Sequence, residues 1–101
     1  MIPLVWTTHS RFKMREHGLS ESRVKRVINS PERVEEGIAE GTVAVMKSAG
    51  TIKHPYEIWV MVSKESASKK IVSAWKYPGK TKPGEPLPRE IVWELRAALT
   101  Y

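Results

Sequence analysis

A chain of 101 residues with 17 Lys plus Arg against 11 Asp plus Glu carries a net charge of +6. It is long enough to bury one core as a single domain spanning residues 1–101. It has no Cys, which excludes disulfide frameworks and thiolate metal sites, and no apolar run approaches the roughly 18 residues a membrane span needs.

Ile2–Trp6 has the composition of a short edge strand, with Pro3 keeping it from a sheet centre. Its segment, MIPLVW, lacks the basic start of a secretory leader, so a cytoplasmic protein is expected. Thr7 or Thr8 offers a capping hydroxyl for a helix through His17, and Gly18 suits the left-handed residue that ends it. Phe12 and Met14 point about 200° apart on this helix, so cover is expected on both sides. Ser20 caps a second helix, in which Val24, Val27 and Ile28 form an apolar stripe and Asn29-Ser30-Pro31 the stop. Together these make an αα-hairpin.

The period then falls from 3.6 to 2. Strands are expected over 32–39, 42–49, 56–63 and 70–77, the first two joined at Glu40-Gly41 and the last two by a polar turn over 63–69. Val34, Glu36 and Ile38 share one face of the first. Tyr56, Ile58, Val60 and Val62 face away from Trp59 and Met61, and the fourth strand is also apolar on both faces. The last two are therefore expected at the sheet centre, with Trp59 and Trp75 in the core. A proline-, glycine- and lysine-rich loop follows, and Pro88 is suited to open a final helix lined by Ile91, Leu95, Ala98 and Leu99. The expected fold is α+β: an N-terminal αα-hairpin, an antiparallel sheet of four strands (five if Ile2–Trp6 joins) and a C-terminal helix.

Basic residues cluster. Residues 9–26 hold six against two acidic, and residues 69–89 six against one. Such clusters attract polyanions, RNA or the ribosome first. His9, Lys13 and His17, four residues apart, lie on one helical stripe, and Arg11 and Arg15 form a second pair. His54, before Pro55, is expected to be exposed and idle. The three His residues have no carboxylates at ligand spacing, so no metal site and no cofactor is expected. Bland roles compete with the chemical ones: His17 as a cation at a helix C-terminus, Lys76 as a side chain lying along apolar surface, and Lys80 and Lys82 as parts of a solvated linker.

The run His9-Ser10-Arg11-Phe12-Lys13-Met14-Arg15-Glu16-His17-Gly18-Leu19-Ser20, the helix stop at Ser30-Pro31 and the strand Ile71-Val72-Ser73-Ala74-Trp75-Lys76 resemble, in that order, motifs of small bacterial domains related to BrnT toxins. BrnT-like chains share the RelE-ParE superfamily fold. The resemblance implies a RelE-like toxin: a metal-independent ribonuclease acting on free or ribosome-bound RNA, with a small antitoxin as partner. Trp75 stands where those domains carry the first Arg after Ser-Ala, and the Pro/Gly/Lys loop replaces a basic helix. The alternatives are a non-catalytic RNA- or ribosome-binding module and a protein-interaction domain on the same scaffold. Metal-free RNA cleavage needs a base, an acid and cations for the phosphorane charge. Lys76, Tyr77, His9 and His17 are the catalytic candidates. Arg11, Lys13, Arg15, Lys80, Lys82 and Arg89 are the RNA-binding candidates.

Overall fold

The computed structural model describes residues 4–37, 41–63 and 69–84. The expected C-terminal helix, Arg89, Trp93, Ile38 and the 64–68 turn lie outside the described residues. In chain order the elements are β1 (Leu4–Trp6), α1 (Thr8–His17), α2 (Glu21–Asn29), β2 (Arg33–Glu36), β3 (Thr42–Gly50), β4 (Pro55–Ser63) and β5 (Lys69–Pro78).

Local chemistry explains the helix boundaries. The Thr7 hydroxyl accepts from Ser10 N–H at 3.0 Å and donates to the Ile71 carbonyl at 2.9 Å, so one side chain starts α1 and ties it to β5. Gly18, at φ 66°, ends α1, and Leu19 N–H reaches back to the Met14 carbonyl at 2.7 Å. Leu19 is buried beside that turn. The Ser20 hydroxyl accepts from Arg23 N–H to start α2. Met14 is buried while Phe12 is 62% exposed, so α1 has one covered side where the sequence suggested two. The buried side is built from Ser10, Lys13 and Met14, and its low hydrophobicity hides it from a periodicity count.

The sheet has five strands in the order β1-β5-β4-β3-β2. β2 to β5 form an antiparallel meander, and β1 pairs parallel with β5, Trp6 opposite Ile71. The sheet is therefore mixed, which corrects the expectation of a wholly antiparallel one. The chain leaves β1 directly into α1, which packs over β5, and β1 takes the edge of β5 that β4 leaves open.

Two cores flank the sheet. On the helix side, Val24 and Val27 of α2 and Met14 of α1 pack on Val45, Ile58, Val60, Val62, Ile71 and Ala74. Each fully buried side chain of this size contributes about 1.5–3 kcal/mol. On the other side lie Ala44, Met46, Trp59, Met61, Val72 and Trp75, with Tyr77 at the margin. Trp59 and Trp75 stack with centroids 6.0 Å apart and planes 4° from parallel. A register shift at Met61/Val62 lets Ile71 enter the first core and Val72 the second.

A cationic cleft and a clasped loop as the candidate functional site

On the helix side, the antiparallel register sets Lys76 of β5 and Lys47 of β3 both opposite Ile58 of β4. Alternation along each strand sends these three side chains to one face. Above them α2 brings Arg23 and Arg26 to the same place. Arg23, Arg26, Val27, Lys47, Ser48, Ala49 and Ile58 line a half-open cleft enclosing about 110 Å³, with no carboxylate among these lining residues. Lys47 donates to the Ser30 carbonyl at 3.2 Å, which leaves its ammonium two further hydrogens.

Tyr56 borders this cleft. Arg23 Nη2 donates to its hydroxyl at 2.6 Å. The Arg23 guanidinium and the Lys76 ammonium lie 5.9 and 5.2 Å from its ring centroid. A β-carbon on Gly18 would stand 4.0 Å from Lys76 Nζ, so this ammonium also sits at the carbonyl end of α1, where the helix dipole favours a cation. His17 Nδ1 accepts from the Lys76 backbone N–H at 3.3 Å. A neutral His17 in this bond therefore carries its proton on Nε2.

On the opposite face, Glu57 is 2% exposed. Its Oε1 accepts from Trp59 Nε1 at 3.0 Å and from the Thr81 hydroxyl at 2.7 Å, and its Oε2 accepts from Thr81 N–H at 3.0 Å. Arg33 of β2 stands 3.7 Å from Oε2 and lies over the Trp59 ring at 5.3 Å. It also donates to the Thr81 hydroxyl and carbonyl at 2.8 and 3.0 Å and to the Lys82 carbonyl at 3.1 Å. Glu35 pairs with Arg33 at 3.0 Å and accepts from Gly84 N–H at 3.3 Å. The hydrogen bonds from Arg33, then the one from Gly84, hold the Glu35 carboxyl below the usual carboxylate range. The segment from Gly79 to Gly84 is thus strapped across the sheet end from β5 over β4 to β2. Gly79 N–H fixes its start to the Pro55 carbonyl at 2.9 Å.

The candidates from sequence are dispersed by this geometry. Lys76 and Tyr77, adjacent in β5, face opposite sides of the sheet, so they do not form one catalytic pair. His17 and Lys76 do meet. Lys13 is 5% exposed and pairs with Glu16 at 2.9 Å, which holds the Glu16 carboxyl below its ordinary value. The His9-Lys13-His17 stripe thus faces the sheet side of α1, with His9 and His17 half-buried. Arg11 is exposed, 3.5 Å from Glu21 and over the Trp6 ring, and Arg15 is exposed. His54 is exposed in the hairpin turn. Lys80 and Lys82 point outward from the strap, on either side of the inward Thr81.

Glu57 and Arg33 lie outside the basic clusters of the sequence. One signal was present: Glu57 interrupts an otherwise apolar strand, and a charge in such a run needs buried partners. Among the described residues no three His, Cys, Asp or Glu side chains gather as a metal site, and no helix is long and apolar enough to cross a membrane. Comparison with protein-family models, curated proteins and solved structures finds no match to this chain.

Proposed function

We propose that this chain is an RNA-binding domain on a RelE-like scaffold, taking phosphates of free or ribosome-bound RNA in the cleft between α2 and the sheet. The observation that carries this reading is the convergence of Arg23 and Arg26 of α2 with Lys47 of β3 around one apolar floor, with no carboxylate lining the cleft and with Lys76 of β5 paired to its floor residue Ile58. Arg supplies planar donors for phosphate oxygens and Lys supplies point charge. Neutralising phosphates releases counterions, so affinity falls as salt rises. The order of two helices followed by an antiparallel meander supports the RelE-like assignment.

The test is fluorescence anisotropy with a labelled RNA oligomer across a salt series. Affinity should fall linearly on logarithmic axes, and the charge reversal Arg23→Glu with Arg26→Glu should weaken binding more than tenfold. Binding indifferent to both salt and charge reversal overturns the reading, and selective capture of an acidic protein would favour the protein-interaction alternative.

A second reading, a toxin-like metal-independent ribonuclease, draws on the meeting of Tyr56, Arg23, Lys76 and His17. That cluster offers a phenol and an imidazole for proton transfer beside cations suited to phosphorane charge. Cleavage of RNA by wild-type protein, lost in Lys76→Ala, supports it. Intact RNA after prolonged incubation, alongside salt-dependent binding, leaves the binding module alone.

A further inference from the structure

The strap residues Lys80 and Lys82 lie on a segment whose inner side is fixed more tightly than any solvated linker requires. Thr81 is anchored by its hydroxyl, its N–H and its carbonyl, to one buried carboxylate and one half-buried guanidinium. Lys82 is held by its carbonyl and Gly84 by its N–H. Pro78 and Pro83 fix two further backbone angles. Lys80 and Lys82 therefore stand outward from a preformed backbone, which lowers the ordering entropy that a phosphate contact must overcome. The chain also links them to the cleft. Lys76 lies opposite the cleft residue Ile58 with its ammonium over the Tyr56 ring, and Lys80 follows it by four residues, at most about 14 Å along the backbone. The strap begins where Gly79 meets Pro55, at the same end of the sheet as Lys76 and Tyr56.

We infer that the cleft and the strap form one continuous phosphate track for a single RNA strand. It runs from Arg23, Arg26, Lys47 and Lys76 on the helix face, around the end of β5, to Lys80 and Lys82 on the other face. Glu57 and Arg33 are positioning residues that hold its second half in place. This rests on the RNA-binding reading above and extends it to residues that never touch the ligand.

The sign of one substitution separates this from a simple charge effect. Replacing a carboxylate by an amide makes the protein more positive and, through charge alone, strengthens binding to a polyanion. Glu57→Gln keeps the shape, but in either orientation its NH2 group meets an N–H that the carboxylate accepted, that of Thr81 or that of Trp59, and the strap is loosened. The track predicts weaker binding. It also predicts a salt slope shallower by about 1.4, the value for two lost contacts to single-stranded nucleic acid at about 0.7 each.

The experiment measures anisotropy with a single-stranded RNA oligomer over a salt series, for wild type, Glu57→Gln, Thr81→Val, the double variant Lys80→Ala/Lys82→Ala, and Glu57→Gln combined with that double variant. Melting curves accompany each, so that slopes are compared on folded protein. Thr81→Val removes only the anchoring hydroxyl, and it decides the matter if Glu57→Gln does not fold. The expected result is one shared reduction in slope, with no further loss in the combined variant. Tighter binding by Glu57→Gln at full slope overturns the positioning role. Salt-dependent wild-type binding that Lys80→Ala/Lys82→Ala leaves unchanged overturns the track and leaves the cleft standing. Absence of salt-dependent binding by the wild type removes the RNA reading itself.

Discussion

Lys13, Lys76 and Arg33 show how little a cation's place in the sequence says about its work. Lys13 sits in a basic run yet is buried against Glu16. Lys76 stands between a phenol ring and a helix end. Arg33 looks like a surface residue of an edge strand and instead joins two strands, β2 and β4, to a loop. The carboxylates that Lys13 and Arg33 hold give acid sensitivity. Glu16 and Glu35 both titrate below their ordinary value when folded. Their contribution to stability is complete above the unfolded-state value and is lost as pH falls through the lower, folded-state value. Melting temperature should therefore drop in acid, below about pH 4.5. Glu35→Gln should be less stable than wild type at neutral pH and should flatten this dependence, measured by thermal melts across the acidic range. A curve for Glu35→Gln that parallels the wild type would sink the assignment.

At the scale of elements, caps and turns were the most readable features. Thr7, Ser20 and Gly18 act locally, and each does what its side chain, or lack of one, permits. The β3–β4 hairpin is governed in the same way by Gly50. Its φ of 83° is one that residues with a β-carbon rarely adopt, and an added methyl would press on the His54 carbonyl and the Tyr56 ring. Gly50→Ala should cost about 1–3 kcal/mol, read from denaturant unfolding. It should also weaken the proposed RNA binding, because Ala49 lines the cleft and Tyr56 holds the cleft residue Arg23. The buried side of α1 was not readable, since Ser10 and Lys13 are polar and Phe12, the most apolar residue of the run, points to solvent. Their burial follows from the Thr7–Ile71 tie, a contact 64 residues apart along the chain.

Across the whole molecule, the parallel β1–β5 pair joins the two ends of the described fold. Removing residues 1–6 strips β5 of its edge partner and exposes the surface under Leu4 and Trp6. The truncated chain should lose about 2–4 kcal/mol and exchange its β5 amide hydrogens faster, while the proposed salt-dependent RNA binding should persist. Unchanged stability would mean that β1 is an incidental pairing.

The sequence by itself determined the class of fold, the two capped helices, the four meander strands to within a few residues, and the central place of Trp59 and Trp75. These follow from periodicity, capping and turn chemistry, which act over a few residues. Only the tertiary structure decided that the sheet is mixed, that Lys76 and Tyr77 part company, that Arg23, Arg26 and Lys47 converge, and that the proline-rich loop is clasped by Glu57 and Arg33. Each of these depends on strand register and strand order. A shift of one residue in register turns every side chain to the other face, and no local pattern encodes which distant strand will supply the partner.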